Sequence, residues 1–248
     1  MFFISCSEGF LMSTAVSLTQ MGLYLLYIFL PIFVIYIIYT TITKAFEYLG
    51  FSSAEALIIV LVSSIFGFFE IHVFGFNLSN IYLFTYGRWV VSINTGGAVI
   101  PILLSTYLVF RKKLSMAKVF MGVAVVSMIT FFVTSPDPAR GIVSRFPFWL
   151  LPVVSASLIS TILFWRDFQR AAPFAYVSGT LGVLIGADFL HLIELLNMDV
   201  IREVHAVIGG ANVFDMVFLT GILAVILDGI LMYSQRKKME RRRNLADK

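Results

Sequence analysis

The chain is poor in charge and histidine and has a single cysteine, and each scarcity removes a class of function. Only 13% of its 248 residues are charged while 59% are hydrophobic, against roughly a quarter and a half in an ordinary soluble domain. A single soluble domain is excluded. Cys6 stands alone, so there is neither an internal disulfide nor a thiolate metal cluster. Phe3-Ile4-Ser5 ahead of it has a faint look of a lipoprotein cleavage box, but no basic region or adequate hydrophobic segment precedes it. Neither that processing nor a cleavable signal peptide is expected. The histidines include no His-x-x-x-His or Glu-x-x-His pair, no lysine lies in the middle of an apolar run, and no serine elbow or phosphate loop appears.

What the chain has instead is long apolar runs. A membrane-crossing helix needs ~20 mostly apolar residues, and seven runs qualify, at about 21–43, 54–75, 89–110, 115–134, 146–165, 173–196 and 211–234. The expected fold is an all-α, polytopic transmembrane bundle of about seven spans, over residues 1–234, followed by a basic cytoplasmic tail, 235–248. Lys and Arg accumulate in short cytoplasmic loops. With the N-terminus outside, fourteen of the eighteen fall on the cytoplasmic side and four outside. That orientation puts the C-terminus in the cytoplasm and the protein in the cell membrane as a multi-pass protein.

The net charge of +4 is local. The tail from Gln235 to Lys248 carries seven cations and two acids, which leaves the rest of the chain at −1. Such a cluster beside a membrane helix sets topology and can touch anionic lipid. No aromatic-interleaved basic groove accompanies it, so no nucleic-acid partner is expected. Ser135-Pro136-Asp137-Pro138-Ala139-Arg140-Gly141 is the clearest turn cluster and falls outside.

Ionisable groups within hydrocarbon are costly unless they face a cavity or a partner. Here they are Glu70, His72, Asp188, His191, Glu194, Asp215 and Asp228, and all but Asp228 fall toward the outer leaflet. Asp188, His191 and Glu194 recur every three residues, so one cavity can see all three. Asp188 and Asp215 lie at similar depth on antiparallel neighbours and could meet. Snorkelling to the interface is the structural alternative for Glu70, His72 and Glu194; a buried hydrogen bond or a cap is the alternative for the two aspartates.

Two glycine pairs add to this. The third run contains Asn94-Thr95-Gly96-Gly97-Ala98 with Pro101, and the seventh opens at Gly209-Gly210-Ala211. In a membrane, loosened backbone is tolerated around cavities; close helix packing through small residues is the other reading. Helices 2 and 3 also echo helices 6 and 7. Gly67 and His72 are spaced like Gly186 and His191, with an acid between each pair, and each set leads to a Gly-Gly-Ala opening.

The segments Ile93 to Ser105, Ala171 to Gly182, Ile185 to Leu192, and Ile208 to Ala211 running on through Asp215 to Ile222 together resemble the prokaryotic membrane family catalogued as domain of unknown function 1614. The resemblance covers most of the chain from the third helix onward. It implies shared polar positions at Asn94, Gly96, Gly97, Pro101, Asp188, Gly209, Gly210 and Asp215, and it implies no particular activity. The family pattern commonly has Asn where this chain has His191.

Four functions suit these residues. The first is a proton- or cation-coupled transporter or channel, with Asn94, Gly96, Gly97, Asp188, His191, Gly209, Gly210 and Asp215 lining the ligand site and Asp228 as an inner relay. The second is an intramembrane hydrolase using Asp188 and Asp215 as a catalytic dyad; four residues separate Gly210 from Asp215, unlike the Gly-x-Gly-Asp of presenilin-type proteases. The third is metal-dependent chemistry drawing on Glu70, His72, His191 and His205 with the same aspartates. A scaffold is the fourth. The expected partners are the lipid bilayer and a small ion or small-molecule substrate, with homo-oligomer formation left open and no cofactor specified.

Overall fold

The structure is a computed structural model that describes residues 5–165, 167–210 and 216–246, with side chains from 20 to 233 except Phe168. It divides into two units, residues 1–42 and residues 43–248. The first is the apolar stretch of helix α1 (Ser5–Leu49). The second carries the last residues of α1 and all other elements.

Seven helices occur among the described residues, in the seven expected regions. After α1 come α2 (Ser53–Phe68), α3 (Thr95–Arg111), α4 (Met116–Val133), α5 (Leu150–Leu163), α6 (Gln169–Leu196) and α7 (Met216–Ala246). Four of these helices, α1, α4, α6 and α7, are long and apolar enough to cross a membrane. At 1.5 Å per residue, the 14 residues of α5 cover about 21 Å, short of the ~30 Å hydrocarbon core.

The expectation of a purely helical chain is corrected by three small sheets. Strands β1 (His72–Val73) and β2 (Phe76–Asn77) form a hairpin, as do β5 (Thr134–Asp137) and β6 (Gly141–Ser144). The third sheet joins β3 (Asn80–Tyr86), β4 (Trp89–Asn94) and β7 (Val204–Ile208), with β3–β4 antiparallel and β4–β7 parallel. The second expected span therefore stops at Phe68 and the third begins as a strand. The cause is local: Phe74 and Gly75 both have positive φ, the two-residue hairpin geometry. Gly87, at φ +59, makes the turn between β3 and β4, flanked by the aromatic and β-branched residues that suit strands.

Helix starts follow ordinary capping. Ser52 N donates to Glu55 Oε2 at 2.7 Å and Glu55 N donates to Ser52 Oγ at 3.3 Å, a capping box that fixes the start of α2. Helix α6 is the centre of the second unit. A Cβ added at Gly122, Gly182 or Gly186 would strike Phe174, Val126 or the Ser127 carbonyl, so α4 and α6 approach through glycine. On its other side a Cβ at Gly179 would lie 3.4 Å from Thr220 Cγ2 of α7. The buried cluster is accordingly rich in small residues, Ala98, Ala156, Ala175, Ala187, Ala206 and Ala224, with Trp89 as its one large aromatic.

Candidate functional site

Among the described residues two helices lose α-helical regularity, and both do so at residues the sequence singles out. Thr95–Val99 at the start of α3 and Leu184–Phe189 within α6 are π-helical turns, rare features found disproportionately at functional sites. The first holds Gly96 and Gly97, the second Asp188.

The first turn is built by Asn94. Its Oδ1 accepts from Gly97 N at 2.7 Å and its Nδ2 donates to Asn80 Oδ1 at 2.9 Å, with the side chain buried. Asn94 is thus engaged as a helix cap and a strand link. The glycines are shaped for contact. A Cβ at Gly96 would run into Ser63 O of α2, and one at Gly97 would run into Gly209 O. Gly209, at φ +83, has its own Cβ position filled by Ala98, so a side chain there is excluded by both conformation and space. The glycine pairs Gly96-Gly97 and Gly209-Gly210 are brought side by side, because β4 and β7 run parallel in register up to Ile93↔Ile208.

The second turn delivers Asp188, half-buried, to the same place. Its Oδ2 accepts from Gly209 N at 2.7 Å. A cavity of about 330 Å3 opens beside it, lined by Asp188, Leu192, His205 and Gly210 and, from the β5–β6 hairpin, by Ala139, Arg140, Gly141 and Ile142. Arg140 Nη2 pairs with Asp137 Oδ2 at 2.9 Å. The N–H of Ala139, with the Arg140 guanidinium, holds the Asp137 carboxyl below the usual carboxylate range. The turn cluster read in the sequence thus walls the cavity.

The remaining predicted residues disperse. Glu70 and His72 are exposed, beyond the end of α2. His191 is buried and stacks on Phe131 at 4.4 Å, with Nδ1 3.2 Å from Glu194 Oε2 and Nε2 3.1 Å from Phe131 O. His205 lines the cavity from β7. Among the described residues no three His, Cys, Asp or Glu side chains gather as a metal site. Asp215 lies outside the described residues. Sequence reasoning missed Arg140 and the hairpin as cavity walls, although the Pro-Asp-Pro turn was its available signal.

The arrangement of Asn94, Gly96, Gly97, Asp188, Gly209 and Gly210 around one junction gives the resemblance a structural basis. The model of the family described as protein of unknown function DUF1614 matches residues 58–227. The chain belongs to this family. The matched region of the DUF1614 family runs from within α2 to within α7, so the cavity and both π-helical turns fall inside it. No curated protein and no solved structure matches the chain.

Proposed function

We propose that the chain is a multi-pass protein of the cell membrane that moves a proton or small cation, or a small solute coupled to one, through the cavity beside Asp188. The observation that carries this reading is the acid itself. A π-helical turn directs Asp188 to an open cavity of about 330 Å3, where Gly209 N donates to one of its oxygens. A carboxylate at the wall of such a cavity can bind and release a positive charge. Broken helix geometry and positive-φ backbone beside it fit a transport site.

The reading is tested by reconstituting the protein in vesicles with imposed pH and cation gradients. Flux in the wild type and at least ten-fold less flux for Asp188→Asn support it. Cleavage of a lipid or peptide without flux overturns it in favour of a hydrolase that pairs Asp188 with Asp215.

A further inference from the structure

The helical core holds a second acid that the cavity does not use. Asp228 of α7 is 1% exposed, and its Oδ1 accepts from Thr161 Oγ1 of α5 at 3.3 Å. The Ser160 hydroxyl stands beside the carboxylate but donates to Ala171 O at 2.7 Å. A carboxyl group removed from water has to be neutralised by a proton or a cation. Helix α5 brings no titratable residue to it. The neighbouring helices bring Arg170, which pairs with Asp167, Tyr176, which faces Gly221, and Tyr48, which lies against Gly229. Lys118 of α4 donates to Leu163 O at 3.3 Å. Among the described residues no Lys, Arg or His forms an ion pair with Asp228. A hard metal cation takes about six oxygen ligands, more than one carboxyl group and the Ser160 and Thr161 hydroxyls supply.

A second observation lies between Asp228 and the cavity. The buried hydroxyls of Ser157 on α5 and Thr220 on α7 complete no hydrogen bond among the described residues, and those of Tyr176 and Thr180 on α6 have only each other at hand. They gather where the three helices converge. A Cβ at Gly179 would lie 3.4 Å from both Ala156 Cβ and Thr220 Cγ2, and one at Gly221 would run into Thr180 Oγ1. Buried polar groups without protein partners are where ordered water is found, and a hydroxyl both donates and accepts. Thr220 is eight residues from Asp228, and Thr180 eight from Asp188, or ~12 Å each at 1.5 Å per residue.

We infer that Asp228 is a proton-binding site and that the Ser157, Tyr176, Thr180 and Thr220 hydroxyls hold the waters that link it to the cavity at Asp188. Each hydroxyl or water in such a file accepts one proton and passes one on, and the last O–H bond forms on the Asp228 carboxylate. The use of that proton in transport rests on the reading proposed above; its binding does not.

Infrared difference spectroscopy of the full-length protein in lipid nanodiscs tests this. A protonated-carboxyl band that titrates with pH and is lost in Asp228→Asn is the expected result. After a pH jump, Thr180→Val and Thr220→Val should slow its appearance at least ten-fold. A titrating band unchanged in Asp228→Asn overturns the proton site, and so does a band that responds to sodium at fixed pH. Wild-type rates in both valine variants overturn the water file. Should Asp228→Asn fail to fold, Asp228→Glu keeps the carboxyl group, and an unshifted band then refutes the assignment. Missing flux with an intact, Asp228-dependent band counts against the transport reading alone; flux without that band counts against the proton site alone.

Discussion

Asp188 and Asp228 are acids on neighbouring helices of one core, and their surroundings differ in kind. Asp188 is half-buried, and backbone holds it: a π-helical turn sets its direction and Gly209 N donates to it. Asp228 is almost fully buried, sits on regular helix and meets the side chain of Thr161. The first environment comes from glycines that let chains touch, and the second from hydroxyls on packed helices. Backbone placement tolerates no added atoms, whereas side-chain placement tolerates exchange of like for like.

The sharpest way to break that contrast is to add one carbon at the glycine junction. Gly97→Ala places a methyl group on Gly209 O, between two backbones that cannot both move without disturbing β4 and β7. Overpacking of this kind costs about 3 kcal/mol. Trp89, buried with Nε1 donating to Met198 O at 3.2 Å, reports on it through fluorescence during thermal unfolding. Hydrogen exchange should quicken in β7 while residues 220–228 of α7 stay protected. Equal loss in both regions would show that the two sites are not independent.

The next effect is smaller and concerns the acid alone. Asp188→Ala removes the acceptor for Gly209 N, and a lost hydrogen bond to a charged group costs about 2 kcal/mol. Asp188→Asn keeps an acceptor oxygen and should cost about 1 kcal/mol or less, while still failing in flux. Chemical denaturation in detergent separates the two variants. If the Asn variant is as unstable as the Ala variant, the charge of Asp188 serves the fold rather than transport.

How much of this could be read in the sequence depends on what kind of force placed each residue. Helix α4 was expected at 115–134 and spans Met116–Val133, because an uninterrupted apolar run bounded by polar residues carries its own limits. Residues 89–94 were expected as helix and form β4, since an apolar strand and a buried helix look alike by hydrophobicity alone. Their aromatic and β-branched character, together with the Gly87 turn, was the discriminating signal. Asn94, Gly96, Gly97, Asp188, Gly209 and Gly210 were legible as a set, and the structure gathers them. Their mode of action was not, because the contact of Gly97 with Gly209 spans more than a hundred residues of chain. The repeated glycine pair was visible as an echo, but only the parallel pairing of β4 with β7 brings Gly96-Gly97 and Gly209-Gly210 to one place.

Exchange of His191 should be milder still. An Asn amide overlays the Nδ1 side of the ring, so it can still meet Glu194 Oε2 but falls short of Phe131 O. It loses the stack on Phe131, worth about 1 kcal/mol. His191→Asn is expected to unfold only slightly earlier than the wild type and to keep full flux, measured in the vesicle assay. A loss of flux on the scale of Asp188→Asn would move His191 from the packing around the site into the site itself.

The smallest effect belongs to the cavity's outer wall, where charge rather than packing holds the shape. Asp137 accepts from Ala139 N at 2.9 Å and from Arg140 N at 3.0 Å, and pairs with the Arg140 side chain. These contacts favour the ionised carboxyl and lower its pKa. A lowered folded-state pKa stabilises the turn above the unfolded value, about 3.9 for Asp, and that contribution fades as pH falls through the folded value. Protection of the Ala139 and Arg140 amides, corrected for intrinsic exchange, should therefore hold from neutral pH to about 4 and decline below it. Asp137→Asn, which keeps one acceptor but no charge, should show weaker and pH-independent protection, with unfolding temperature unchanged because the turn is exposed. A wild-type protection factor that is flat through this acid range would mean that the hairpin is held by β5–β6 pairing alone. The wall beside Asp188 would then be set by backbone, as its floor is.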